Sequence, residues 1–152
     1  MKKTPEGWPR ISSSIFYDDA AKAIDWLCQV FGFEVRLKVE GENGRIAHSE
    51  LTFGEGLIMV GSSKQVGDKT WRDATTSPQQ VGGLNTQVLC VFVDDVDAHC
   101  ARTKAAGGAV LQEPKTTDHG PDYWADRSYL VRDPEGHQWW FMQRVREQVV
   151  RP

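Results

Sequence analysis

His48 and Glu50 are the residues whose types and spacing point most directly to chemistry. They stand two apart in a strand-like run, residues 46–53, so their side chains share one face. An imidazole beside a carboxylate admits four readings. The two form a structural ion pair, with each other or with Arg127, because buried charges are normally paired. Alternatively, Glu50 meets a cationic or hydroxylated ligand while Arg127 holds an anionic one. Either His48 or Glu50 could act as a general base. Last, the His-x-Glu pair could supply two metal ligands, although no third His, Asp or Glu is seen to face them. Arg127 and Tyr129 repeat the two-residue spacing in a later strand-like run, residues 127–131.

The other polar and aromatic residues have simpler readings. His137 follows a turn glycine and is expected to lock that turn. His99 sits within a helical run as a surface or semi-buried residue. His119 lies in a turn-rich loop, residues 116–122, over the expected cavity mouth, and is read as a bystander, as loop histidines usually are. Trp139 and Trp140 are adjacent on a strand and must point to opposite faces, so one is core and the other is not. Trp71 and Trp124 fall on loops, where an exposed indole is costly unless it covers something, and both are candidate lids. Asp133-Pro134-Glu135-Gly136 carries two carboxylates, but a proline-initiated turn accounts for it.

Composition narrows the class of protein. A chain of 152 residues suits one compact domain with a sizeable core. A formal net charge of −3 gives no electrostatic reason to expect nucleic acid or an anionic membrane as partner. Apolar runs such as Leu57-Ile58-Met59-Val60 are too short to span a bilayer. Residues 1–10 have two lysines but no apolar stretch and no cleavage site, so they do not read as a signal peptide. Cys28, Cys90 and Cys100 are odd in number, lack C-x-x-C spacing and fall in apolar or helical context, as small buried hydrophobes do. The cytoplasm is the expected compartment.

The elements that must position these residues follow one plan twice. Residues 11–17 read as a strand, with Ile11, Ile15 and Tyr17 on one face, followed by Asp18-Asp19 as a cap. Ala20, Ile24, Leu27 and Phe31 then mark a helix closed by Gly32. Strands over 34–39, 46–53 and 57–60 follow, separated by glycine-rich turns. The second half repeats the order: strand 86–93, cap Asp94-Asp95, helix 96–106, Gly107-Gly108, then strands 109–112, 127–131 and 138–143. Phe16-Tyr17-Asp18-Asp19 echoes Phe92-Val93-Asp94-Asp95, and Ser49-Glu50-Leu51 echoes Ser128-Tyr129-Leu130. The predicted organisation is an extended arm (1–10), a β-α-β-β-β module (11–61), a connecting loop (62–85), a second module (86–144) and a tail (145–152). The loop is long for a compact domain, as functional loops and flexible arms are.

Paired modules of this kind resemble the vicinal oxygen chelate superfamily, the glyoxalase, bleomycin-resistance and dioxygenase proteins. The stretch from Trp124 through Arg127, Asp133-Pro134-Glu-Gly136-His137 and Trp139 is similar to the closing segment of the bleomycin-resistance and PhnB-like branches, "W-x-x-R…D-P-x-G-H-x-W". His48-Ser-Glu50-Leu-Thr-Phe-Gly54 is similar to their "H-x-E-L-x-x-G" strand. The resemblance spans residues 11–143. It implies an α+β fold, two β-α-β-β-β modules forming curved mixed sheets around a ligand cavity, and a homodimer.

The resemblance also implies four metal positions, the first and last strands of each module, which map to Ser12, Met59, Val88 and Trp140. A serine hydroxyl is a poor ligand, a thioether suits Cu(I), and Val and Trp cannot coordinate, so neither a metal nor another cofactor is expected. With Met59 facing inward, the pocket is expected to hold Ser12, Ser14, Phe16, His48, Glu50 and Thr52, with Cys90, Phe92, Arg127, Tyr129 and Trp140 from the second module and Trp124 above. Three functions fit. The first is a protein that sequesters an aromatic or planar small molecule without chemistry. The second is a metal-free or atypically metallated lyase, isomerase or dioxygenase-type enzyme, with His48 and Glu50 acting and Arg127 orienting. The third is an interaction module using the connecting loop. Fold alone does not choose among them.

Overall fold

The computed structural model describes residues 1–64 and 74–148. The chain divides into two compact units, one ending at Val81 and the other beginning at Gly82. In the first unit, β1 (Ser13–Tyr17), α1 (Ala20–Trp26), β2 (Glu34–Glu40), β3 (Ile46–Phe53) and β4 (Gly56–Ser62) follow in sequence. Their sheet has the order β1-β4-β3-β2, with β1 parallel to β4 and the other pairs antiparallel. The second unit holds β5 (Leu89–Phe92), α2 (Val96–Ala105), β6 (Ala109–Asp118), β7 (Ala125–Arg132) and β8 (Gln138–Arg146). Its sheet has the order β5-β8-β7-β6, again with one parallel pair, β5 and β8. Both units therefore adopt the predicted β-α-β-β-β order.

Local chemistry sets the helix ends. The Asp19 carboxylate accepts the N–H of Lys22 at 3.1 Å, and Asp95 accepts the N–H of Ala98 at 2.9 Å, so each expected cap satisfies a donor of the first helical turn. α1 runs on into a π-helical turn, Leu27–Phe31, that buries Leu27, Val30 and Phe31. Gly32 ends it at φ +88°, a left-handed conformation that glycine adopts without a Cβ clash.

Alternation along the strands separates two faces in each sheet. In the first unit α1 packs over β1 and β4. Ile15, Tyr17, Leu51, Ile58 and Val60 are buried on that side. In the second unit α2 packs over β6, β7 and β8. Tyr129, Val131, Trp139 and Phe141 are fully buried there. The opposite, helix-free faces carry the candidate site.

β6 extends to Asp118, well past the predicted end at 112, and β8 extends to Arg146. Pro114 interrupts the strand pattern. The sheet tolerates it because β6 is an edge strand with register shifts around it, between Val110 and Gln112 and between Gln112 and Lys115. The lengthened strands bring Arg146 onto Asp118: one guanidinium nitrogen lies 2.8 Å from Oδ2 and the other contacts Oδ1. That ion pair holds the Asp118 carboxyl down at about 2. A depressed carboxylate stabilises the fold above its unfolded pKa and loses that contribution as pH falls, here between about 4 and about 2. A carboxyl NMR titration should show the Asp118 midpoint near 2, and Arg146→Gln should raise it toward the ordinary aspartate range, with the Gly120 N–H still holding it somewhat low.

All three cysteines are free, and only Cys100 is buried; Cys90 is exposed. Burial raises the Cys28 and Cys100 thiols above their usual range. Among the described residues no helix is long and apolar enough to cross a membrane.

Candidate functional site

On the helix-free face of the first sheet, β1 presents Ser14 and Phe16, β4 presents Met59, and β3 presents His48, Glu50 and Thr52. Ser14 lies beside Met59 in the parallel register, its Oγ 4.0 Å from the Met59 Sδ. Ser12 precedes β1, and its hydroxyl oxygen is buried without a hydrogen-bond partner among the described residues.

Glu50 is 8% exposed and engaged at both oxygens. Oε1 lies 3.1 Å from His48 Nε2, and Oε2 lies 3.4 Å from Arg36 Nε. This is the ion-pair arrangement, with Arg36 rather than Arg127 as the cation. Arg36 falls in the register shift between Val35 and Leu37, where a bulge re-aims the side chain. Arg36 also donates from Nη1 to the Gly7 carbonyl at 2.5 Å, and its guanidinium sits 5.6 Å from the Trp8 ring centroid. The only sequence sign of this role was a basic residue on the neighbouring strand.

The second helix-free face carries Cys90, Phe92, Ser128, Leu130, Trp140 and Met142. Cys90 pairs in register with Trp140, and Phe92 with Met142. Phe92 is 55% exposed, while Trp124 and Trp140 are half-buried. Two residues that sequence reading passed over complete this face. Arg144 Nε donates to Asp126 Oδ1 at 2.6 Å, and Asp126 is buried. The Arg144 guanidinium lies 5.8 Å from the Phe92 centroid and 5.5 Å from the Trp124 centroid, within cation–π range of both. The His119 ring lies 5.2 Å from Trp124, so this loop histidine does have an aromatic neighbour. Trp71 lies outside the described residues.

Arg127 and Tyr129 are not on this face, which corrects their predicted alignment with His48 and Glu50. Arg127 points to the helix side and makes a two-pronged contact with Asp97 of α2, both bonds 2.7 Å. Tyr129 is fully buried under α2, its hydroxyl 2.6 Å from His99 Nδ1 and 2.9 Å from Thr103 Oγ1. His99 is correspondingly buried rather than on the surface. The reason is a one-residue offset. Leu51 pairs with Ile58 in the first hairpin, but the equivalent residues of the second are Val131 and Trp139, one residue further apart. The structural counterparts of His48 and Glu50 are therefore Ser128 and Leu130, and a slip of one residue exchanges the two faces of a strand.

The second hairpin turn is organised by Asp133, whose carboxylate accepts the N–H groups of Glu135 and His137 at 3.1 and 2.9 Å and the Trp139 indole N–H at 3.1 Å. His137 contributes to the turn through its backbone on both sides, its carbonyl also accepting the Asp133 N–H at 2.9 Å, and the turn needs the aspartate as much as the proline.

The residues at the four family metal positions do not suit a hard or borderline divalent cation, being a hydroxyl, a thioether, an isopropyl group and an indole. Among the described residues no group of three His, Cys, Asp or Glu side chains gathers to hold a metal.

Residues 10–141 match the family model of the Glyoxalase/Bleomycin resistance protein/Dioxygenase superfamily, and the chain belongs to that superfamily. It is 31% identical over 141 residues to an uncharacterized protein of Mycobacterium tuberculosis, covering 91% of this chain and 76% of that one. Among solved structures it is similar to TioX from Micromonospora sp. ML1, with 31% identity, a TM-score of 0.68 and coverage of 91% of this chain and all of that one. TnmS3, an antibiotic binding protein from Streptomyces sp. CB03234, shares the fold at 21% identity and a TM-score of 0.60, over 88% of this chain and 93% of its own.

Proposed function

We propose that this protein binds a planar aromatic small molecule without transforming it, and that the helix-free face of the second unit takes the ligand's flat surface. The observation that carries this reading is the set of aromatic side chains left unburied on that face, Phe92, Trp124 and Trp140. Large aromatics bind flat partners by stacking and area burial, and a chain that left them exposed without a ligand would carry an aggregation liability. The fold shared with TnmS3 is consistent with such a role. The test is a titration with anthracene-2-carboxamide followed by tryptophan fluorescence. Saturable 1:1 quenching, insensitive to chelator and with the probe recovered unchanged, is the expected result; absence of saturation with both this amide and the corresponding carboxylate would sink the reading.

The hydrogen-bonded His48–Glu50 pair supports a second reading, an enzyme acting on a small carbonyl or epoxide substrate. Under it, Glu50→Gln abolishes turnover with the fold intact. Under the binding reading, the same variant leaves probe affinity within about threefold, because a neutral amide keeps most of the wall's shape and hydrogen bonding. The protein is further proposed to work in the cytoplasm as a homodimer, which sedimentation equilibrium checks directly.

A further inference from the structure

Arg144 is anchored from one side. Its Nε is held at 2.6 Å by Asp126, whose side chain is only 7% exposed, so the guanidinium is fixed before any ligand arrives. Its Nη edge has one partner among the described residues, Oε2 of Glu147 at 3.3 Å, and that glutamate side chain is 80% exposed. A long bond to a solvated carboxylate is weak and easily displaced. The same guanidinium is within cation–π reach of Phe92 and Trp124. A planar donor fork thus stands beside two aromatic rings, with its outer edge occupied only by a displaceable carboxylate.

The geometry points to a planar aromatic acid as the ligand class: its ring lies on Phe92 and Trp124, and its carboxylate replaces Glu147 at the Nη edge of Arg144. This rests on the planar-ligand reading above and adds the charge of the ligand to it. A carboxylate conjugated to a ring is coplanar with it, and a guanidinium fork binds a carboxylate in its own plane, so one flat molecule satisfies both contacts. The buried Asp126 opposes a second negative charge, but the contact with Glu147 shows that this guanidinium accommodates two carboxylates at once.

The experiment compares anthracene-2-carboxylate with anthracene-2-carboxamide, which have the same ring system and differ in charge, by fluorescence titration of the full chain at neutral pH. The carboxylate is expected to bind about 10-fold tighter, the usual advantage of a hydrogen bond to a charged group. Glu147→Gln, a substitution at an exposed side chain, is expected to raise carboxylate affinity a fewfold and leave carboxamide affinity unchanged. Arg144→Gln is expected to erase the preference; because it strips Asp126 of its partner, the double variant Arg144→Gln/Asp126→Asn serves if the single one fails to fold. Equal binding of the two probes, or an affinity ratio unmoved by Glu147→Gln, overturns the anion assignment and leaves the planar-ligand reading standing. Failure of both probes to bind overturns both.

Discussion

Trp139→Ala should unfold this protein at a markedly lower temperature, whereas Trp140→Ala, one residue along, should leave the fold nearly as stable and weaken ligand binding several-fold. Trp139 is completely buried, and its indole N–H donates to Asp133 at 3.1 Å, tying the start of β8 to the turn that follows β7. Truncating a buried tryptophan to alanine costs about 3–5 kcal/mol through lost transfer energy and a residual cavity. Losing the donor to Asp133 adds to this. A loss of that size is a large part of the roughly 5–15 kcal/mol that holds a domain together. It corresponds to roughly 6–20 °C in midpoint for a chain of this length. Trp140 is half-buried on the helix-free face, so its removal takes away ligand surface rather than core. Aromatic–aromatic stacking is worth about 0.5–1.5 kcal/mol beyond area burial, so with the lost area probe affinity should fall several-fold. Calorimetry and fluorescence titration on the two variants separate the effects. Equal stability losses would mean that both indoles are core and that the assigned face is wrong.

Tyr129→Phe should cost about 1–3 kcal/mol, since it leaves His99 and Thr103 without the hydroxyl they share in a buried site. The phenyl ring itself still stacks on Phe141, whose centroid is 5.4 Å away. The pH dependence carries a second signature. Burial pushes the Tyr129 phenol above its ordinary value of 10.0. A group whose folded pKa is raised gives its full stability below the unfolded pKa and loses it as pH climbs, so the wild-type protein should weaken progressively above about pH 10. The variant should lack that component of the alkaline loss. Arg127→Ala is the companion control, removing a solvent-screened ion pair with Asp97 that contributes little to stability. Neither substitution should alter probe binding, because both side chains lie on the α2 side of the sheet. A large drop in affinity from Arg127→Ala would restore it to the ligand face.

Much of the architecture was legible because it rests on short-range signals. Asp19 and Asp95 cap as expected, Gly32 closes its helix, and apolar spacing located α1 and α2. The Asp-Pro-Glu-Gly turn and the paired module order were likewise visible in residue types. Strand limits were less so at β6, where Pro114 hides a strand that only its edge position makes tolerable. Ser14, Phe16, His48, Glu50 and Met59 share one face of the first sheet, which period-two alternation from a single reference residue suffices to anticipate within one module.

Across modules that reasoning failed at Arg127 and Tyr129. An echo of three residues could not reveal that the second hairpin is one residue longer between equivalent positions, and in a strand one residue is the difference between facing the helix and facing away. The partners were equally out of reach. That Arg36 rather than Arg127 pairs with Glu50, and that Arg144 with Asp126 completes the aromatic face, depends on side chains far apart in sequence meeting across register shifts. The amino-acid sequence by itself determined the module plan and the caps and turns, since these are properties of single residues and their near neighbours. Only the tertiary structure decided which face each strand shows to its helix and which charge answers which, because both follow from cross-strand register, set by pairing between segments that the chain brings together only on folding.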